Sequence, residues 1–212
     1  CEDRKFLFFF QHLRRMAASA AAFSVPFSAR SALEILKKVE NSGNYRIRLL
    51  LDRSGRFEAE SSVCGRINRT GASSSPFRLE LSAHRVDSGD IFRYHKTTER
   101  RPYDRSRRVR IGNQNGDVFF LNEQGHVVES SIGNILLYHG KGKWSTPDAT
   151  SGCLPGVFIG QLLRRFSDRI GSRKIALQDM ALSKRVFVCN SVRGFTRVTG
   201  LVTEQDGIGN ER

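Results

Sequence analysis

The sequence lacks a long apolar run, a closely spaced cysteine pair and any internal repeat. None of its apolar stretches approaches the roughly 20 residues of a membrane-spanning helix, so we expect no membrane insertion. The cysteines show neither a CxxC pair nor a metal-ligand cluster; they are Cys1, Cys64, Cys153 and Cys189. This usage is typical of reduced thiols in a cytoplasmic protein, and it predicts no metal centre.

Acidic residues are few compared with basic ones. The 212 residues include 35 Lys and Arg against 21 Asp and Glu, which gives a net charge of +14. Basic side chains neutralise phosphates in nucleic-acid complexes. Here, however, they are spread along the whole chain, and the aromatic residues do not alternate with them as in a base-stacking surface. We therefore expect no nucleic-acid partner, and interpret the diffuse charge as a solvated surface or as a preference for anionic small molecules.

The hydrophobic fraction of 39% is sufficient for a folded core. Ser28 can cap a helix that ends near Gly43, and "YRIRLLLD" and "RFEAES" read as two strands joined by the turn "DRSG". "FRLELS", at 77–82, predicts a further strand. The character of the sequence changes after "HRVDSGD". We interpret residues 1–86 as a small α+β domain and residues 92–212 as a larger domain, with a linker near 84–92 and a ligand cleft between them.

The second half begins with a strand-like run beside Lys96. A basic helix is then expected from Pro102, followed by a β-meander made of "DVFFLN", "HVVESS" and "NILLYHG". A second helix begins near Pro155, and "RVFVCNS" and "FTRVTGLV" close the chain as strands. The fold class is therefore α+β.

Four short stretches are suited to chemistry: Lys96 in "YHKTT", Glu129 in "VVESSIGNI", "GCLPGV" at 152–157 and "CNSVRG" at 189–194. Each has an ordinary explanation by itself: a surface lysine, a strand end, a helix start and a turn. Together they meet the needs of pyridoxal 5'-phosphate. This cofactor requires a lysine for its aldehyde, an acid at its pyridine nitrogen, and backbone N–H groups at a helix start for its phosphate.

The order "YHKTTERRPYD … NEQGHVVESSIGNILL … TPDATSGCLPGV … VFVCNSVRG" resembles the class-IV aminotransferases, which are fold-type IV pyridoxal-phosphate enzymes. "HKTTERRPYD" and "CNSVRG" resemble most the 4-amino-4-deoxychorismate lyase domains fused to aminodeoxychorismate synthase component I. The start "QHLRRMAASAAAFSVPF" is similar to the family's first helix, which favours a folded helix over a transit peptide. The resemblance implies a two-domain fold, with a small α/β sandwich and a larger β-barrel-like domain with helices.

The resemblance also implies roles for individual residues. Lys96 matches the lysine that bonds the cofactor and moves the substrate proton, and Glu129 matches the carboxylate at the pyridine nitrogen. The residues that the resemblance assigns to binding the cofactor phosphate are Arg15 (with Arg14 as the alternative), Val157 and Phe158 through their backbone amides, and Ser191. Arg93, Arg100 and Arg193 are candidates for the substrate carboxylates, and Tyr103 is a weaker candidate for the cofactor ring edge.

The sequence departs from the family before this pattern and again just after "GCLPGV". Residues 1–10 do not resemble the usual opening strand, and Ile159 stands where relatives carry an arginine. The expected activity is that of a lyase that releases pyruvate to give 4-aminobenzoate for folate synthesis. An aminotransferase acting on branched-chain or D-amino acids and a catalytically inactive homologue are the alternatives. The resemblance further implies a homodimer, and a synthase domain fused upstream is compatible with it.

Overall fold

A computed structural model describes residues 6–39, 43–72, 75–110 and 115–203. The chain divides into two compact units. The first comprises Cys1–Ile67 with Ser191–Arg193, and the second comprises Asn68–Asn190 with Gly194–Arg212. Each unit contains helices and strands, so the predicted α+β class is confirmed.

The described residues form helices in both units. The first unit holds α1 (Phe9–Ala22) and α2 (Ala29–Leu36). The second holds α3 (Arg101–Arg110), α4 (Val157–Arg165) and α5 (Leu177–Leu182), with short 3-10 helices at Ile91–Arg93 and Ala149–Ser151. Within the described part of the chain, no helix combines the length and apolar character needed to cross a bilayer.

The strands are numbered in chain order. The first unit has β1 (Tyr45–Leu51) and β2 (Phe57–Val63). The second unit has nine more: β3 (Arg78–Leu81), β4 (Gly116–Leu121), β5 (Val127–Ser130), β6 (Asn134–Gly140), β7 (Lys143–Pro147), β8 (Ile170–Arg173), β9 (Arg185–Asn190), β10 (Gly194–Arg197) and β11 (Gly200–Val202).

Short-range signals shape the first unit as predicted. The Ser28 hydroxyl accepts a hydrogen bond from the Ser31 N–H at 3.2 Å and caps α2. β1 and β2 form an antiparallel hairpin, and in its turn the Asp52 carboxylate accepts from the N–H groups of Ser54 and Arg56, each at 2.9 Å. Gly55 has a φ of +86°, a conformation that glycine adopts without a steric penalty. The predicted helix cap, turn and hairpin are thus confirmed, but the helix expected to end near Gly43 ends at Leu36.

The N-terminal segment is helical. α1 runs from Phe9 and includes the whole "QHLRRM" stretch, as the amphipathic pattern predicts. Ala20 is its one buried residue. Residues 1–5, which belong to the stretch that departs from the family's opening strand, lie outside the described part of the chain.

A nine-stranded sheet organises the second unit, with the order β10-β9-β6-β5-β4-β3-β11 and with β7 pairing β6 and β8. The predicted meander β4-β5-β6 is confirmed as consecutive antiparallel pairs. β3 lies parallel to β4 and β11. β3, which was expected in the N-terminal domain, belongs to the second unit instead, because its hydrogen bonds go to the larger sheet. The two units meet in sequence at 67–68, before the linker predicted at 84–92.

Both faces of the central strands are buried. In β4, Phe119 and Leu121 join a large apolar cluster, whereas Val118 and Phe120 join a smaller one with Cys153 and the half-buried Tyr103. Side chains alternate between the faces of a strand, so β4 contributes to both clusters. The smaller cluster borders the chemically interesting side chains described next.

Candidate active site

Lys96 lies in the segment that joins the 3-10 helix Ile91–Arg93 to α3. The strand-like run expected beside it is wrong: Asp90 caps a helical turn by accepting from the Phe92 N–H at 2.9 Å. A carboxylate placed two residues before an N–H favours a turn over a strand. The Lys96 residue is exposed, as an amine that must meet a ligand requires.

Glu129 lies in β5 and its side chain is only 7% exposed. One carboxylate oxygen, Oε1, accepts from the Tyr103 hydroxyl at 2.5 Å and faces Arg93 Nη2 at 3.5 Å. The other oxygen, Oε2, accepts from the Leu154 backbone N–H at 3.1 Å. A carboxylate offers about four lone-pair sites, so one acceptor site is left for a further donor.

Burial raises the pKa of Glu129, since a charged carboxylate is poorly solvated inside the protein. The hydrogen bond from Tyr103, the charge of Arg93, the Leu154 N–H and the charge of Lys96 oppose this rise in the pKa, in that order. The lysine and the acid that the sequence singled out belong to the same unit, and the charge of Lys96 acts on the Glu129 carboxylate.

Arg93 has a different environment from the one expected of a substrate ligand. Its side chain is 6% exposed, and its Nε donates to the Gly152 carbonyl at 3.1 Å. Its guanidinium carbon lies 4.8 Å from the centroid of the Tyr103 ring, within cation–π range. The arginine thus faces inward, toward Glu129 and the segment after the 3-10 helix Ala149–Ser151.

Arg100 immediately precedes α3, and Tyr103 lies in the first turn of this helix. Arg100 donates to the Ser131 carbonyl at 2.7 Å, and its guanidinium carbon lies 5.3 Å from the Tyr103 ring centroid. Burial, followed by the charge of Glu129, raises the pKa of Tyr103. Because its hydroxyl stays protonated, it donates to Glu129. Tyr103 therefore contacts the acid itself.

α3 is fixed to the sheet by polar contacts. The Ser82 hydroxyl donates to the Ser106 hydroxyl at 3.1 Å, and Arg107 Nε lies 3.6 Å from an oxygen of the fully buried Asp117. Asp117 also accepts from the Ser131 hydroxyl and from the Ile132 N–H. Burial raises the pKa of Asp117, and these hydrogen bonds oppose the rise. These contacts set the position from which α3 presents Tyr103.

At the start of α4, the backbone of Gly156 lies very close to the Asn134 side chain. Gly156 is the N-cap residue and supplies no capping side chain; Val157 and Phe158 form the buried first turn. Asn134 Nδ2 donates to the Leu154 carbonyl at 2.9 Å, and a Cβ on Gly156 would lie 2.0 Å from Asn134 Oδ1. Ile159, at the family's arginine position, is buried. The helix start therefore offers backbone N–H groups and dipole, without that arginine.

Three predicted site residues belong to the first unit. Arg15 is a half-buried residue of α1, and burial lowers the pKa of its guanidinium; Arg14 is exposed. Ser191 and the exposed Arg193 lie in the three-residue turn that joins β9 to β10. The six others, Lys96, Glu129, Arg93, Arg100, Val157 and Phe158, belong to the second unit.

Sequence reasoning missed two contributors to the acid's surroundings. Asn134 is paired with Glu129 in the β5–β6 register, and it holds the segment whose Leu154 N–H caps the acid. Its signal was present in "ESSIGN", where a polar residue follows a tight turn directly opposite the acid. Leu154 acts through its backbone, so no side-chain pattern identifies it.

Known proteins resemble the chain in sequence and in fold. The model of the amino-transferase class IV family matches residues 1–201. A protein from Mesorhizobium loti, provisionally named an amino-acid aminotransferase, is 30% identical; the match covers 93% of each chain, with a TM-score of 0.81. No curated protein matches the sequence significantly.

Two solved structures with lyase names share the fold. The one from Legionella pneumophila, provisionally named a 4-amino-4-deoxychorismate lyase, is 20% identical, covers 99% of this chain and 82% of its own, and has a TM-score of 0.79. The 4-amino-4-deoxychorismate lyase from Pseudomonas aeruginosa is 21% identical, covers 94% and 80%, and has a TM-score of 0.72.

The chain belongs to the class IV aminotransferase family, whose members depend on pyridoxal 5'-phosphate. The residues of the second unit fit this cofactor. Glu129 retains an acceptor site for a pyridine N–H, Lys96 presents an exposed amine nearby, and α4 begins without a side-chain cap. These are the acid, the amine and the phosphate-binding helix start that the cofactor requires.

Proposed function

We propose that the chain is a pyridoxal-phosphate-dependent lyase that converts 4-amino-4-deoxychorismate into 4-aminobenzoate and pyruvate. The observation that carries the proposal is the buried Glu129 carboxylate, which keeps one acceptor site, together with Lys96 in the stretch "HKTTERRPYD", which resembles these lyases. The relatives with lyase names share the fold at 20% and 21% identity. They support the proposal by architecture alone.

The proposed roles follow from the contacts. Glu129 would accept a hydrogen bond from the cofactor's pyridine nitrogen through its unused acceptor site, since its other sites face Tyr103, Arg93 and Leu154. The phosphate would be held by the amides of Val157 and Phe158 at the start of α4. When bound, pyridoxal phosphate supplies an electron sink for the carbanion of the substrate.

Lys96 would perform the proton transfers. Its amine, once neutral, would remove the proton from the substrate carbon that bears the amino group. It would then return a proton to the enolpyruvyl side chain, whose departure as pyruvate leaves the ring aromatic. Acid–base help of this kind accelerates reactions by about 10²–10⁴. Arg100 is the proposed ligand of a substrate carboxylate, by a charge-assisted hydrogen bond.

The test is an assay of pyruvate release from 4-amino-4-deoxychorismate by the cofactor-loaded chain. We expect Lys96→Ala to lower the rate by about 10²-fold or more, and borohydride reduction to leave a pyridoxyl group on Lys96 of the unaltered chain. Lys143→Ala, which changes an exposed lysine of β7, is the matched control and is expected to keep the full rate.

A second candidate is an aminotransferase. It is favoured by the 30% identity to the Mesorhizobium loti protein, which extends over 93% of both chains. It predicts amino transfer from branched-chain or D-amino acids to 2-oxoglutarate, with no pyruvate from the chorismate derivative. Transfer without pyruvate release would replace the lyase proposal. The absence of any pyridoxyl adduct would instead indicate a catalytically inactive homologue.

A further inference from the structure

The buried guanidinium of Arg93 connects three segments of the chain. It belongs to the 3-10 helix that precedes Lys96, it faces Glu129 of β5 at 3.5 Å, and it donates to the Gly152 carbonyl at 3.1 Å. Its 6% exposure leaves little surface for a substrate carboxylate. A buried cation requires compensation, and Glu129 is the carboxylate that it contacts.

We propose that Arg93 is a positioning residue that holds the Glu129 carboxylate ionised and oriented for the pyridine nitrogen of the cofactor. It acts on both carboxylate oxygens. It faces Oε1 directly, and it anchors Gly152 in the segment whose Leu154 N–H donates to Oε2 at 3.1 Å. The inference rests on the proposed role of Glu129, but it is independent of the substrate.

The Glu129 carboxylate is also oriented by donors other than Arg93. The Tyr103 hydroxyl and the Leu154 N–H both hold the carboxylate, yet neither carries a charge. Among the residues that the structure describes, the charged and titratable groups that act on Glu129 are Arg93, Lys96, Tyr103 and Cys153. Lys96 must give up its charge to act as a base. Arg93 is therefore the permanent cation that favours an ionised Glu129 throughout the reaction.

The sign of the pH effect follows from the direction of the pKa shift. Burial raises the pKa of Glu129, so its contribution to stability is present below the unfolded-state pKa of about 4.3 and is lost as the pH rises through the folded-state pKa. Without Arg93 the folded-state pKa is higher still. The stability of the cofactor-free protein then falls further with pH above about 4.3.

The experiment uses the full chain in four forms: unaltered, Arg93→Gln, Glu129→Gln, and the double variant. The affinity for pyridoxal phosphate is measured by absorbance titration, and the stability of the cofactor-free proteins by urea unfolding between about pH 5 and 8. We expect Arg93→Gln to weaken cofactor binding by about tenfold, as for the loss of one hydrogen bond to a charged group. We expect it to steepen the loss of stability with pH.

Both effects of Arg93→Gln are expected to vanish in the Glu129→Gln background, because no carboxylate remains to be held. Equal weakening in both backgrounds would overturn the proposal and assign Arg93 to the fold. If Arg93→Gln alone does not fold, a folded double variant supports the proposal and an unfolded one overturns it. If Glu129→Gln binds the cofactor as well as the unaltered chain, the proposed role of Glu129 itself fails.

Two further variants separate charge from general destabilisation. Arg93→Lys keeps the cation, and is expected to restore the pH profile of the unaltered chain. Arg78→Gln removes an arginine that faces a different buried carboxylate, Glu80, at 3.5 Å. It is expected to leave the cofactor affinity unchanged. Weakened cofactor binding in Arg78→Gln equal to that in Arg93→Gln would count against a specific role for Arg93.

Discussion

At the scale of single residues, two arginines close to Lys96 in sequence differ in their surroundings. Arg93 is buried against Glu129, whereas Arg101 is exposed and pairs with Glu99 at 2.8 Å on the surface. The second contact is screened by water and contributes little to stability. A buried charge without its partner is costly, so the first contact constrains the site. Sequence proximity to Lys96 is similar for both arginines and does not distinguish them.

The cysteines provide a prediction at the same scale. Burial raises the pKa of Cys153 and of Cys189 to about 12, so at pH 8 only about one thiol in ten thousand is ionised. Cys64 is half-buried in the first unit. We expect iodoacetamide to label Cys64 in the native protein and to spare the other two. Peptide mapping by mass spectrometry measures this.

The control for the cysteine experiment is labelling in denaturant, where Cys64, Cys153 and Cys189 are all expected to react. Alkylation of Cys153 in the native protein at the rate of Cys64 would contradict the burial described for the segment between β7 and α4.

At the scale of elements, the start of α4 shows how two segments fit together. Gly156 has a φ of −65°, which any residue adopts, so backbone strain does not explain the glycine. Space explains it, because Asn134 occupies the position where a Cβ would lie. Asn134 in turn anchors Leu154, whose N–H caps Glu129. The packing of α4 against β6 therefore reaches the acid.

Two glycines of this segment form a matched pair for a stability test. Gly156→Ala places a Cβ 2.0 Å from Asn134 Oδ1 and is expected to lower the free energy of unfolding by about 1–3 kcal/mol. Gly160→Ala, inside α4, meets no atom within 4 Å and is expected to raise it by about 0.5–1 kcal/mol. Urea unfolding measures both changes.

The background Asn134→Ala is the control for the glycine pair. In it, the cost of Gly156→Ala is expected to shrink, because the obstructing side chain is gone. A full cost in that background, or effects of the same sign for both glycines, would mean that the contact with Asn134 is not the cause.

At the scale of the whole molecule, charge and exposed apolar groups govern association. The net charge is +14, and Val63, Leu182 and Phe10 are each at least 79% exposed. We expect a homodimer whose formation strengthens with salt, because ions screen the repulsion between two basic chains. Sedimentation at about 0.05 M and about 0.5 M salt is expected to show a growing fraction with twice the mass of one chain.

Single substitutions identify the apolar surface used by the dimer. Val63→Lys probes the first unit and Leu182→Lys the second, and the one that lowers the dimer fraction locates the contact. A monomer at both salt concentrations would refute the expectation of a dimer.

The sequence by itself determined the family and the local elements. The helix cap at Ser28, the "DRSG" turn and the β4-β5-β6 meander depend on residues close together in the chain, so their physical causes can be seen in the letters. The motif order predicted Lys96 as the lysine and Glu129 as the acid of the site. The sequence offered no comparable signal for the short elements β7, β8 and α5. β7 and β8 pair in parallel, although α4 separates them along the chain.

Which charged side chains contact each other was decided only by the tertiary structure. Arg93 reaches Glu129 across 36 positions and Gly152 across 59, and both contacts depend on the register of β5 and the path of the segment before α4. The same long-range pairing moved β3 into the larger sheet. A single hydrogen bond contributes little net free energy in water, but a buried charge must find its partner. The arginine expected to bind substrate therefore became a neighbour of the acid when the chain folded.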